Sequence, residues 1–194
     1  MLTLQQLLEK AGGQAAGKLE LHGTSPEKAL AYAEKAFETA GMDLHEEIPM
    51  FEQNYSVAKY HATTGKLKRS EMPVICSADL PGLEKALKER KVKTKKGKMD
   101  ITSMKPLQYQ IYVDKSLGGI IKNGSAKTRK FLTSGTFFIL SSDDYIMEGH
   151  HRFLTGILFD PTMKVKYFKV DMNKDQLLKF LLTHSQEIGN KCNA

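Results

Sequence analysis

A chain of 194 residues is long enough to bury a core of its own, as one domain or as a core with an extension. Its 29 lysines and arginines against 22 acids leave a formal net charge of +7, which favours polyanionic partners. No apolar run approaches a bilayer span and no basic-then-apolar leader is visible, so a soluble cytoplasmic protein is expected, with no membrane partner.

The first ninety residues are predicted to be helical. Thr3 caps a helix over residues 4–10 that Gly12-Gly13 ends, and Ser25-Pro26 opens a second. In that second helix Ala29, Leu30, Ala33, Ala36 and Phe37 recur at helical spacing up to Gly41. Residues 51–61 form a weaker third helix, and Asp79-Leu80-Pro81-Gly82 leads into a fourth over 83–88. Between them Met72-Pro73-Val74-Ile75-Cys76 is expected to be extended, because the residue before proline avoids the helical region. Cys76 and Cys192 stand far apart in sequence and read as reduced thiols.

From Lys88 to Lys98 the chain carries Lys88, Arg90, Lys91, Lys93, Lys95, Lys96 and Lys98 against the single acid Glu89. Such a run repels itself and is expected to be a mobile linker or arm. As a solvated linker it needs no ligand. As a weak nucleic-acid contact it would use Lys91, Lys93, Lys95, Lys96 and Lys98 on phosphates alone, because it contains no aromatic residue to stack on bases. The pattern changes from helical to β-rich here, which places a boundary between a helical extension, 1–98, and a core, 99–194.

In that core Ile101–Met104 reads as a strand, Gln110–Lys122 as a helix and Asn123-Gly124-Ser125 as a turn. Residues 125–130 read as a basic loop without the glycine spacing of a Walker loop. It is either an exposed connection or a lid whose Ser125, Lys127 and Thr128 close over phosphates. Thr136–Leu140 is a strand, Ser141–Asp144 a turn and Tyr145–Met147 the returning strand. Lys164–Asp171 alternates charge with apolar residues, as a half-exposed strand near a sheet edge would. A last helix over 175–182 turns Leu177, Leu178, Leu181 and Leu182 to the core, with His184 at its C-terminus; His22, His45 and His61 have no acid or cysteine partners.

The residues with most chemistry are Glu148-Gly149-His150-His151-Arg152, between the returning strand and an apolar, helix-like segment. A helix starting here points unpaired N–H groups and a partial positive charge outward, a setting for phosphate. Gly149 allows close approach to the backbone, His150, His151 and Arg152 supply donors, and Glu148 can hold a metal or take a proton. The same spacing also suits a plain polar helix start. Adjacent histidines cannot both face the core, and they are not one turn apart as zinc-binding histidines on a helix usually are.

The hairpin followed by Gly149-His150-His151-Arg152 resembles the signature of the ParB/sulfiredoxin superfamily, in particular its Asp/Glu-Gly-His-His-Arg branch. Upstream, Ile101-Thr102-Ser103-Met104-Lys105-Pro106-Leu107-Gln108 resembles that family's first strand and Lys-Pro turn, and Gln110-Ile111-Tyr112-Val113-Asp114-Lys115 the start of its next helix. The resemblance covers about residues 99–172. It implies an α+β fold, a small mixed sheet with packed helices, that binds ATP or a related nucleotide with Mg2+. Gly149, His150, His151 and Arg152 would then hold phosphates, with Gln110, Lys115, Ser125, Lys127 and Thr128 around them. Glu148, with the metal, and His151 would be the catalytic groups.

Two departures matter. His150 stands where sulfiredoxin has its reactive cysteine, which argues against sulfinic-acid reduction. The kinase branch has a glutamate base where this chain offers Gln108 and Gln110, and an amide cannot accept that proton unless Asp114 substitutes. The leading expectation is a nucleotide phosphohydrolase or phosphotransferase. The alternative is a DNA-binding protein or nuclease that uses the lysine segment. A third is a degenerate pocket in a structural or inhibitory protein, for which a phage origin would be unsurprising.

Overall fold

The computed structural model describes residues 47–49, 67–108, 110–112, 126–135, 137–160 and 162–187. In chain order the elements are β1 (Glu47–Pro49), α1 (Leu80–Glu89), β2 (Thr94–Asp100), β3 (Lys105–Pro106), β4 (Gln110–Tyr112) and α2 (126–134). They are followed by β5 (Phe138–Leu140), β6 (Tyr145–Glu148), α3 (His150–Phe159), β7 (Lys164–Val170) and α4 (Lys174–Glu187). The architecture is α+β. Five strands form a mixed sheet in the order β2-β7-β5-β6-β3; β7 runs parallel to β5 and β3 to β6, and the other two pairings are antiparallel. β1 and β4 make a separate antiparallel pair.

Side chains from the two faces of this sheet enter different layers. On one face Ile139, Met147, Phe168 and Val170 pack with Leu83 and Leu87 of α1 and with Leu177 and Leu181 of α4. These four helical leucines recur at four-residue spacing, so each helix buries a single stripe. On the other face Phe138 lies under the start of α3. Further along α3, Gly156 sits close against the buried Ile101, where a side chain would collide.

Local signals set several boundaries as expected. Pro81 occupies the first turn of α1, and Leu83 and Leu87 are fully buried. The hairpin between β5 and β6 closes through Asp144 at φ 69°, a conformation aspartate tolerates, with the Tyr145 amide donating to Ser141 Oγ at 3.0 Å. Asn173 caps α4, its Oδ1 accepting from the amides of Asp175 and Gln176 at 3.1 and 3.0 Å, and Gln176 Oε1 takes the Asn173 amide in return.

Other expectations are corrected. The lysine run begins in α1 and from Thr94 is an ordered edge strand: β2 pairs with β7 along all seven of its residues, Thr94 opposite Val170 through Asp100 opposite Lys164. Sequence charge is a poor guide there because the fold takes part of it up: Lys96 pairs with Glu84 of α1 and lies over the Phe137 and Phe168 rings. The boundary expected after residue 98 falls inside this strand, and α1 before it shares a core with α4 after it. β7 is interior, flanked by β2 and β5, and its Lys166 and Lys169 reach the Ser134 carbonyl and Asp144.

Ile101–Ser103 is a short 3-10 turn with Ile101 buried, and the strand follows it as β3. Glu47–Pro49 and Gln110–Tyr112, both expected within or near helical segments, are strands that pair through Ile48 opposite Ile111. Residues 126–134 are helical, since Ala126, Lys127, Arg129 and Lys130 are good helix formers and Thr128 and Leu132, four apart, are both buried.

Cys76 is disulfide-bonded, contrary to the reduced thiol expected, so cysteine content carries no argument for a reducing compartment. Distance along the chain misleads here: Ser185 Oγ donates to the Val74 carbonyl at 2.8 Å, bringing the end of α4 beside the 72–76 segment. Cys192 and the helices expected over 4–10, 26–40 and 51–61 lie outside the described residues. Among the described residues no helix is long and apolar enough to cross a membrane.

Candidate functional site at the start of helix α3

β6 ends at Glu148 and α3 begins at His150, so Gly149 makes the whole connection. Its φ of 115° lies in the left-handed region. A Cβ there would come within 2.8 Å of the Phe138 ring and 3.0 Å of Arg152 Nη2. Gly149 is buried beneath these two side chains, so the glycine serves the turn and the packing of Phe138 rather than the approach of a ligand. Among the described residues no side chain caps the helix, and the first intrahelical bond runs from the Phe153 amide to the Gly149 carbonyl at 2.8 Å. The amides before Phe153 lie at the positively polarised end of the helix.

The two histidines divide as adjacent helical residues must. His150 is 4 % exposed, and its Nε2 accepts from the Leu107 and Gln108 amides at 3.1 and 2.9 Å. The ring therefore pins the Lys-Pro-Leu-Gln segment to the start of α3. Burial, reinforced by the positive charges of His151, Arg69 and Arg152, holds its pKa down to about 3. A neutral ring whose Nε2 already accepts two backbone donors cannot also donate from that nitrogen to a phosphate, which corrects the expected role of His150. His151 is half-buried, on the first turn of α3, and its carbonyl accepts from Thr155 Oγ1 at 2.8 Å.

Arg152 is held from three sides. Nη2 donates to the Phe137 carbonyl at 3.2 Å, the guanidinium lies 5.1 Å from the Phe138 ring centroid, and Glu148 Oε1 is 3.9 Å away. Desolvation lowers the Arg152 pKa, and Glu148 opposes that shift. The Glu148 carboxyl sits in a recess that leaves 36 % of the side chain exposed. Its pKa is raised: desolvation outweighs the charges of Arg152 and Arg69 and the Gly149 amide, which all lower it.

Arg69 is the group that sequence reasoning missed. It lies in the short turn Arg69–Glu71, more than seventy residues before the motif. A parallel bridge between Leu67 and Gln108 brings that turn to the segment held by His150, so the Arg69 charge reaches both Glu148 and His150. Only the basic cluster Lys66, Lys68 and Arg69 marked it in the sequence, and nothing there gave its direction.

Of the other predicted ligands the structure describes Gln110, Lys127 and Thr128. Gln110 is in β4 opposite Pro49, and Lys115 and Ser125 lie outside the described residues. Lys127 is exposed on α2, and Thr128 is buried with no partner for its hydroxyl among the described residues. Arg129, the next residue, bonds Asp160 at 2.9 Å beyond the far end of α3, roughly 15 Å along that helix from Gly149. Magnesium is commonly held by one or two carboxylates together with substrate phosphates; Glu148 is the one carboxyl of the motif, and Arg152 and Arg69 share its surroundings. No family model, curated protein or solved structure matches this chain.

Proposed function

We propose that the start of α3 binds the phosphates of a nucleotide and that the protein is a phosphohydrolase or phosphotransferase of ParB/sulfiredoxin type. One observation carries the reading: a helix N-terminus with no side-chain cap among the described residues, on which Arg152, Arg69 and a carboxyl of raised pKa converge. The amides of His151 and Arg152 and the two guanidiniums neutralise phosphate oxygens, the role otherwise given to a cation. His151 is the histidine of the pair on the accessible side.

Glu148 handles the proton. A carboxyl shifted toward neutrality tolerates an adjacent phosphate better than an ordinary glutamate would, and in its ionised form it takes a proton from water. Gln108 is buried with its amide on His150, so the Lys-Pro segment supplies no base.

The test is phosphate release from a panel of nucleoside triphosphates, with ligand binding followed by thermal shift. Glu148→Gln should abolish release while leaving binding intact, and Arg69→Ala should weaken binding at least tenfold. Turnover unchanged in both variants, with both folded, refutes the assignment.

A further inference from the structure

We propose that the lysine-bearing face of β2 and β7, with Phe131 beside it, binds single-stranded nucleic acid. Glu148 is on β6, three strands from β2, roughly 14 Å across the sheet, so this surface is separate from the start of α3.

Opposite residues of an antiparallel pair share a face, which groups Lys96, Lys98 and Asp100 with Phe168, Lys166 and Lys164; Phe168 is buried under α1 and α4, so the open end of this face is the one that bears Lys98, Lys166 and Lys164. Lys98 directly faces Lys166, a like-charge pair that costs the sheet stability until an anion lies across it. The acids nearby are few. Glu84 pairs with Lys96, and Asp100 faces Lys164, leaving Lys98 and Lys166 without a carboxylate among the described residues. Lys98 and Lys164 are exposed, and alternate residues along each strand present ammoniums about 7 Å apart.

The structure also supplies the aromatics that the lysine run lacks. The half-buried Phe137 ring has Lys96 Nζ and Lys166 Nζ each 5.5 Å from its centroid, which holds both cations in place. Lys166 Nζ also donates to the Ser134 carbonyl at 3.0 Å. Next to Ser134, Gly135 packs against Phe131, which is 48 % exposed and is the large hydrophobic side chain left open among the described residues. A bare aromatic at the border of a lysine ladder provides base stacking next to phosphate contacts, the combination that favours a single strand over a duplex or a lipid surface.

The experiment measures fluorescence anisotropy of a labelled oligothymidylate, the corresponding duplex and phosphatidylserine vesicles, with the full chain over a salt series. Three or four lysine contacts predict a slope of log K against log salt of roughly −2 to −3 for the single strand. Phe131→Ala should weaken single-strand binding about tenfold and leave duplex binding unchanged. Lys98→Glu should weaken it at least tenfold while raising Tm, because it turns the Lys98–Lys166 repulsion into attraction; a loss of binding then cannot be ascribed to unfolding. Lys179→Glu, the same charge change on α4, should matter little. Absence of binding at low salt, equal weakening by Lys179→Glu, or duplex or vesicle binding as tight as the single strand with Phe131→Ala neutral would overturn the proposal.

Discussion

His150 offers the sharpest test of how the motif is used. Its Nε2 accepts from two backbone amides in a buried site, so protonating that nitrogen would set a donor against two donors. In the folded protein the ring therefore stays neutral down to a pH of about 3, whereas in the unfolded chain it titrates near its ordinary 6.5. The folded pKa is depressed, so this contribution is fully present above pH 6.5 and is lost as pH falls toward 3. At about 1.4 kcal/mol per unit, the whole window is worth about 5 kcal/mol. His150→Gln keeps a side-chain oxygen that can accept from Leu107 and Gln108 but does not titrate. Urea unfolding at fixed pH values from 4 to 8 should show the wild type losing about 1.4 kcal/mol per pH unit more than this variant below pH 6.5. Parallel curves would refute the neutral, backbone-bound histidine and return the ring to the list of phosphate ligands.

Gly149→Ala combines a strained φ of 115° with a Cβ 2.8 Å from the Phe138 ring; chemical denaturation should show a loss of about 2–4 kcal/mol. Asn173→Ala removes the acceptor for two amides at the start of α4 and should cost about 1 kcal/mol in the same assay. Leu87→Ala opens a cavity where α1 meets the sheet and should cost about 2–5 kcal/mol, whereas a loosely attached extension would show almost no change.

What the sequence revealed follows from how local each determinant is. The hairpin, the helix after Gly149, the proline-initiated α1 and the leucine stripe of α4 were legible because turn chemistry and periodicity reside within a few residues. The strand in the lysine run was not, since Lys95, Lys96 and Lys98 hold a strand only because β7 offers seven partners. The pairing of Gln110–Tyr112 with Glu47–Pro49 lies sixty residues away, beyond any local pattern. The division of labour between His150 and His151 was half visible: adjacency forced one ring inward, but only the Leu107 and Gln108 amides decide which. Arg69 was out of reach because its role depends on the bridge from Leu67 to Gln108.

The Glu148–Arg152 pair links fold to chemistry and can be tested directly. Arg152 is fixed by the Phe137 carbonyl and the Phe138 ring, so the sheet sets its position relative to Glu148. Desolvation is the largest influence on the carboxyl, and Arg152 is the largest of those opposing it. Removing that charge with Arg152→Met keeps apolar bulk against Phe138 and should move the Glu148 pKa still higher. A carboxyl 13C titration reads this shift without any substrate, and the acid limb of a rate profile should move in the same direction. If the resonance titrates at the same pH or lower in the variant, the guanidinium does not act on the carboxyl. The reading of Glu148 as a proton-handling group tuned by its arginine would then fail even if the protein binds phosphate.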